Sequence, residues 1–356
     1  MDYQGIGNWE GLLDPLDDNL RREIIRYGHF VEAAYRSCDF DPTSTTYATC
    51  LYPKRKLLEE AGFAGTGYRV TKNLTATSGI RLPGWADRAP AWMAMRSSWI
   101  GYVAVCQDRK EIARLGRRDV VIALRGTATG LEWLENLRAT LTPLRPNAEQ
   151  MVERGFRSLY TSGDGDRRSL RELVREEVGR ILEKYGGDEP LSFTFTGHSL
   201  GAALATLAAY DIKETFGESP MVTVISFAGP RVGNWSFRCR LEEQGTKVLR
   251  IVNSDDLITK VPGFVVDECG EESPAPAAGN LTGWIQRLVE EAQWVYADVG
   301  CELRLSSRDS DLKDIDIATC HDLKTYLHLV NGFVSSNCPF RQTARQFMTN
   351  TTLIGN

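Results

Sequence analysis

The hydrophobic pattern of the chain alternates between strand-like and helix-like stretches. Residues 120–124 are apolar at every position, which is typical of a strand buried on both faces of a parallel sheet. Residues 99–105, 119–124, 191–196, 222–227 and 248–252 predict five strands, of which the first two pair with each other, and residues 295–305 predict a further pair of strands.

Helical spacing of apolar residues appears between these strands. Residues 16–37 and 169–185 each carry an apolar face opposite charged residues, and residues 200–215 are rich in Ala and Leu, as a buried helix is. The helix at 169–185 lies where a parallel sheet needs a crossover connection before its next strand. The pattern therefore predicts an α/β protein with a mostly parallel central sheet flanked by helices.

A Gly-X-Ser-X-Gly motif joins the strand at 191–196 to the buried helix. Gly197 and Gly201 stand two positions on either side of Ser199. So tight a turn between strand and helix leaves no room for bulky neighbours, and it holds the serine hydroxyl out of the sheet at a helix N-terminus. The motif alone is common, but this position between a strand and a helix predicts a nucleophile.

A nucleophilic serine needs a base, and the chain has four histidines. His198 lies inside the turn, which directs its side chain away from the serine, and His29 lies before the sheet begins. In α/β-hydrolases the order is Ser, acid, His, so the base is expected from His321 or His328. These two are seven residues apart and would share one face of a helix, so the residues leave both open.

The acid that orients the base is expected just after a strand that follows the serine. Asp255 and Asp256 occupy the loop after the strand at 248–252. Their position favours a catalytic role for one of them, although adjacent loop aspartates are more often simply solvated.

Four segments together resemble the class 3 lipases. They are GHSLGAALATLAA around Ser199, the strand running into Arg125-Gly126-Thr127, residues 227–234, and VNSDDLITKVP. Residues 9–16 and 320–328 are similar to the plant phospholipase A1 group within that family. The resemblance implies an α/β-hydrolase fold with Ser199 as nucleophile, Asp256 as acid and His321 as base. It also implies an oxyanion site at the backbone N–H groups of Thr127 and Leu200.

An amphipathic segment follows the oxyanion element, where lipases of this family keep a lid. We expect the lid at residues 128–147, with Leu131, Trp133, Leu134, Leu137 and Leu141 as its apolar residues. A surface helix that never moves is the alternative.

Length and composition exclude several other classes of protein. The 356 residues suit a single domain at 1–356, with residues 1–60 as an N-terminal helical extension packed on it. The net charge of −5 gives no electrostatic case for nucleic acid, and no run of 18 apolar residues exists that would anchor the chain across a membrane. The eight cysteines lack metal-ligand spacing, so we expect no metal and reduced thiols, and the reaction needs no cofactor.

The family resemblance implies the reaction and its setting. It implies cleavage of the sn-1 acyl ester of phospholipids, with galactolipids or triacylglycerol as further substrates, at a membrane or lipid-droplet surface. It also implies a plastid location, with the transit peptide missing from this chain, or else a cytoplasmic one. Two alternatives remain: a lipase-like scaffold that acts through protein partners, and an esterase for soluble esters.

Overall fold

The computed structural model describes residues 1–77, 97–127, 140–163, 167–187, 189–217, 220–260, 295–310 and 316–337. A seven-stranded sheet forms the centre of the fold, and a two-stranded hairpin lies beside it. The strands are β1 Tyr68–Thr77, β2 Ser97–Cys106, β3 Arg118–Leu124, β4 Leu141–Pro143, β5 Met151–Glu153, β6 Leu191–His198, β7 Met221–Phe227, β8 Lys247–Asn253 and β9 Cys301–Leu305.

The large sheet is mostly parallel, as the sequence predicts. Its order is β1-β2-β3-β6-β7-β8-β9. The first two strands pair antiparallel with their neighbours, and every pair from β3 to β9 is parallel. The carboxyl ends of β3, β6, β7 and β8 therefore share one edge of the sheet, where ligands bind in open α/β sheets.

Helices cover both faces of this sheet. They are α1 Asp18–Arg36, α2 Leu57–Glu60, α3 Arg109–Leu115, α4 Arg154–Thr161, α5 Leu170–Tyr185, α6 Leu200–Phe216, α7 Trp235–Glu243, α8 Ile317–His321 and α9 Leu323–Gly332. One core cluster joins α4, α5 and α6 to the sheet, and a second joins α1 and α9 to the opposite face. Both faces of β3 are buried in this way, which accounts for its uninterrupted apolar sequence.

A buried polar cluster ties α1 to the sheet at the end opposite the candidate site. Asp119 is fully buried at the start of β3. It accepts hydrogen bonds from the hydroxyls of Tyr27 at 3.1 Å, Tyr68 at 2.9 Å and Ser192 at 2.9 Å. A buried carboxylate must be paired in this way, so the cluster fixes the helix on the sheet.

Two predictions about secondary structure are wrong. Residues 295–305 contain one strand, β9, because residues 295–300 form only an isolated bridge in which Ala297 pairs with Gly233. Leu141, predicted as the last apolar position of the lid helix, begins the strand β4 instead. Pairing of β4 with β5 satisfies its backbone within a hairpin, and this tertiary contact overrides the helical spacing.

Candidate active site

The turn between β6 and α6 holds Ser199 in a strained backbone conformation. Its φ is 56° and its ψ is −125°, which a residue with a side chain rarely adopts. The backbone N–H of Ser199 donates to the carbonyl of Phe227 at 3.0 Å, which fixes the turn to the end of β7.

The two glycines of the motif are needed for close backbone contact. A Cβ on Gly197 would lie 2.3 Å from the backbone of Gly201, and one on Gly201 would lie 2.3 Å from the carbonyl oxygen of Leu124. Any side chain at either position would push α6 away from the sheet and move Ser199 with it.

A chain of hydrogen bonds connects Ser199 to a histidine and an aspartate. His321 Nε2 lies 2.9 Å from Ser199 Oγ, and His321 Nδ1 lies 2.7 Å from Asp256 Oδ2. The three residues are buried, and Asp256 is completely so. The second oxygen of the carboxylate, Oδ1, accepts the backbone N–H of Ile258 at 3.0 Å. This is the arrangement in which an imidazole can take the hydroxyl proton and a carboxylate can hold the imidazole in one tautomer.

The other candidates for base and acid, His328 and Asp255, lie outside this hydrogen-bonded chain. His328 is exposed on α9, because the chain is extended at Asp322 and breaks the helix that would have placed His321 and His328 on one face. Asp255 turns away from the site, where it accepts from Ser306 and Ser307 and pairs with Arg308 at 2.9 Å.

Tyr326 is a further partner of the aspartate that the sequence did not single out. Its hydroxyl donates to Asp256 Oδ2 at 2.7 Å and accepts the backbone N–H of Asn253 at 3.1 Å. Tyr326 is fully buried on α9, so it joins the helix after His321 to the loop that carries Asp256. In the sequence, the one signal of this contact is that Tyr326 follows His321 by five residues. A tyrosine on the apolar face of a helix usually packs in the core, so that signal is weak.

Leu200 and the loop that leads to Thr127 both adjoin Ser199. Leu200 begins α6, so its N–H belongs to the first turn, whose donors have no acceptor within the helix. A Cβ on Gly126 would lie 3.1 Å from Ser199 Cβ, which puts the loop after β3 directly against Ser199. The Oγ1 of Thr127, the next residue, is buried and has no hydrogen-bond partner among the described residues.

A second hydrogen-bonded chain joins residues 125–127, the expected oxyanion loop, to His321 through Tyr35 of α1. The N–H of Gly126 donates to the hydroxyl of Tyr35 at 2.9 Å, and that hydroxyl lies 2.8 Å from His198 Nδ1. His198 Nε2 lies 2.7 Å from the carbonyl oxygen of His321. A carbonyl only accepts, so Nε2 carries the proton, Nδ1 is the acceptor and the Tyr35 O–H donates to it.

The environment of His198 keeps it in that neutral form. Burial lowers the pKa of His198 well below its ordinary value, and the neighbouring His321 lowers it further. Burial also raises the pKa of Tyr35, which stays a neutral donor. Both ring nitrogens of His198 are taken up by Tyr35 and by the carbonyl of His321, so the side chain supports the backbone of His321 and is directed away from the serine.

The structure describes only part of the expected lid. Leu131, Trp133, Leu134 and Leu137 of the expected lid lie outside them, as does most of the segment 128–147. Arg231, within the segment 227–234, forms a bidentate ion pair with Asp298, both contacts at 3.1 Å. The carboxylate of Asp298 thus binds the guanidinium of Arg231, a contact that the spacing of the two residues in the sequence does not predict.

Comparison with known proteins gives a consistent family. The model of the class 3 lipases matches residues 121–266. The chain is 66% identical to the chloroplastic phospholipase A1 DAD1 of Arabidopsis thaliana, over 98% of this chain and 79% of that protein. It is 43% identical to the chloroplastic galactolipase DONGLE of the same plant, over 93% of this chain and 69% of that protein.

Solved structures of fungal lipases share the fold. A Rhizomucor miehei lipase–propeptide complex matches with a TM-score of 0.51 at 16% identity, covering 88% of this chain and 78% of that one. A mutant form of MDLA from Penicillium cyclopium matches with a TM-score of 0.50 at 19% identity, covering 86% of each chain. Within the described residues, no helix has the length and apolar character needed to cross a bilayer. The chain has an α/β-hydrolase fold and belongs to the class 3 lipases, a family of carboxylic ester hydrolases that act on acyl lipids.

Proposed function

We propose that this protein hydrolyses the sn-1 acyl ester of glycerolipids, with phospholipids as its main substrates and galactolipids as a second class. The observation that carries the proposal is the hydrogen-bonded chain from Ser199 through His321 to Asp256. The regiochemistry and head groups are inferred from relatives named phospholipase A1 and galactolipase, at 66% and 43% identity.

The reaction begins when Ser199 Oγ attacks the acyl carbonyl and its proton passes to His321 Nε2. Asp256 holds the imidazole with Nδ1 protonated and stabilises the imidazolium. The carbonyl oxygen becomes negative and rests on the backbone N–H groups of Thr127 and Leu200. A donor fixed there in advance is worth about 3–4 kcal/mol in the transition state.

The tetrahedral intermediate collapses when the C–O bond to glycerol breaks. The imidazolium of His321 gives its proton to the leaving oxygen, so a lysolipid departs and the acyl group stays on Ser199 as an ester. Water then attacks that ester while the same imidazole takes its proton. The fatty acid leaves and Ser199 regains its hydroxyl, so no cofactor is consumed.

The access of lipid to this buried site is also part of the proposal. Ser199 is only 4% exposed, so substrate reaches it once a covering segment moves. We assign that role to the part of residues 128–147 that precedes β4, which would turn the apolar side chains of Leu131, Trp133, Leu134 and Leu137 to a membrane or lipid-droplet surface. Residues 1–356 would act as one domain with the N-terminal extension at 1–60, and plastid relatives support a location in that organelle.

The test is the release of fatty acids from phosphatidylcholine and monogalactosyldiacylglycerol that carry different chains at sn-1 and sn-2. We expect the sn-1 chain to be freed and Ser199→Ala to be inactive, whereas Ser162→Ala, at the half-buried C-cap of α4, keeps full activity. Release of the sn-2 chain would refute the regiochemistry. Activity on a short soluble ester alone would refute the lipid assignment, and no activity on any ester would favour a scaffold.

A further inference from the structure

Two cysteines face each other across a short ladder at the end of α1. Cys38 and Cys50 form an isolated antiparallel bridge, and both are free thiols in the structure. The segment between them leaves α1 through its C-cap at Ser37 and returns beside it, closing a loop at this end of the helix.

The backbone hydrogen bonds show whether Cys38 and Cys50 form a hydrogen-bonded or a non-hydrogen-bonded antiparallel pair. Leu51 N donates to the carbonyl of Ser37 at 2.8 Å, and Asp39 N donates to the carbonyl of Thr49 at 3.0 Å. These bonds flank Cys38 and Cys50 without involving their own N–H and C=O groups, so the two form a non-hydrogen-bonded pair. The Cα atoms of such pairs lie about 4.5 Å apart, which is within the range that a disulfide spans.

The two thiols differ in accessibility. Cys38 is 4% exposed and belongs to the core cluster around α1, and Cys50 packs against that cluster while keeping part of its surface open. The Cys50 thiol donates to the carbonyl of Tyr52 at 3.4 Å, and the Cys38 thiol donates to the carbonyl of Asp39 at 3.8 Å. These weak bonds are readily exchanged, and a thiol that solvent can reach beside one that it cannot is suited to two-step oxidation.

We propose that Cys38 and Cys50 are a reversible dithiol–disulfide pair that staples the segment after α1. The Cys50 thiolate attacks an external disulfide, from a small molecule or a dithiol protein, and releases one thiol. The Cys38 thiolate then attacks the Cys50 sulfur of the mixed disulfide and releases the second thiol. Two protein thiols are oxidised and one external disulfide is reduced to two thiols.

The stapled segment supports the oxyanion loop. Ala48, within the segment, accepts the backbone N–H of Trp99 at 2.8 Å. The carbonyl of Trp99 accepts the guanidinium of Arg125 at 2.7 and 3.0 Å, and that guanidinium also donates to the carbonyl of Gly126 at 2.7 Å. A disulfide should therefore stabilise the structure around Gly126 with little movement of the backbone, because non-hydrogen-bonded pairs have a Cα spacing that a disulfide can span.

The experiment equilibrates the full chain in buffers of oxidised and reduced dithiothreitol, alkylates the remaining thiols and maps the products by mass spectrometry. Cys50→Ser is the test variant, with Cys50→Ala as a second if it folds poorly. Cys239→Ser, a free cysteine on α7, is the matched control. Burial raises the pKa of both Cys38 and Cys50, so oxidation should also become faster as the pH rises.

We expect a peptide linked through Cys38 and Cys50 that disappears on reduction. The Tm of oxidised wild type and Cys239→Ser should rise by about 5 °C, with hydrolysis of a soluble ester at 25 °C within about twofold of the reduced protein. Cys50→Ser should show no rise. The proposal is overturned if both thiols remain open to alkylation under oxidising conditions, if Cys38 links to another cysteine, or if the Tm rise persists in Cys50→Ser.

Discussion

Removal of a single hydroxyl at Tyr35 should slow the reaction, although that hydroxyl is hydrogen-bonded to Gly126 and His198 and not to the expected catalytic side chains. That hydroxyl accepts the N–H of Gly126 at 2.9 Å and reaches His198 Nδ1 at 2.8 Å. Tyr35→Phe keeps the ring on α1 and removes both bonds. The oxyanion loop then loses its tether on one side, and His198 loses one of the two bonds that hold it.

The magnitude follows from the groups left without partners. A buried N–H without an acceptor costs about 1–3 kcal/mol, so the free energy of unfolding should fall by about that amount. Movement of the loop would weaken an oxyanion contact worth about 3–4 kcal/mol, which sets an upper limit on the rate effect. We expect kcat to fall about 10–100-fold, with KM nearly unchanged because the oxyanion contact exists only in the transition state.

The assay is hydrolysis of a short soluble ester, which removes binding to a lipid surface from the measurement. Tyr68→Phe is the matched control, since it also deletes a tyrosine hydroxyl that bonds a buried group, at 2.9 Å from Asp119. That group lies at the opposite end of the sheet from Ser199. Tyr68→Phe should therefore lower the unfolding free energy to a similar extent while leaving kcat within about twofold.

The reasoning fails if Tyr35→Phe loses stability but retains kcat, because the hydroxyl would then serve packing alone. It fails equally if Tyr68→Phe slows hydrolysis as much as Tyr35→Phe does, since general destabilisation would then explain both results.

Three more substitutions test other parts of the account. Tyr326→Phe removes the 2.7 Å hydrogen bond to Asp256 and should lower kcat about tenfold on the same soluble ester; an unchanged kcat would show that the bond does not position the acid. Gly126→Ala puts a Cβ 3.1 Å from that of Ser199 and should lower kcat more than about 100-fold, as measured by single-turnover kinetics, and full activity would disprove the close approach. Burial raises the pKa of Glu153 from 4.5 to about 7, so the stability present below pH 4.5 should decline by about 3 kcal/mol as the pH rises through 7. Denaturation curves of Glu153→Gln, recorded across this pH range, should lack this decline. A decline equal to that of the wild type would show that Glu153 is not its source.

The sequence predicted the elements whose conformation depends on residues close together in the chain. The all-apolar run of β3 follows from burial on both faces, and Gly197 and Gly201 follow from the tight turn that exposes Ser199. Helix α1 runs from Asp18 to Arg36, close to the predicted 16–37, because Asp17 caps it by accepting the N–H groups of Asn19 and Leu20.

The contacts that the sequence did not predict join residues far apart in the chain. Tyr35 meets His198 across 163 positions, and Tyr326 meets Asp256 across 70, so no local pattern marks either tyrosine. The choice between His321 and His328 needed the break at Asp322, which spacing on one ideal helix did not reveal. Leu141 had suitable helical spacing, but pairing within the β4–β5 hairpin determines its conformation.

The most direct test of the central claim is to label the protein with an alkyl phosphonate ester, which leaves a stable adduct on an activated serine, and to map that adduct by mass spectrometry. The account predicts a single adduct on Ser199, with labelling slowed at least about 100-fold in His321→Ala because the hydroxyl loses its base. An adduct on another serine, or equally fast labelling without His321, would contradict it.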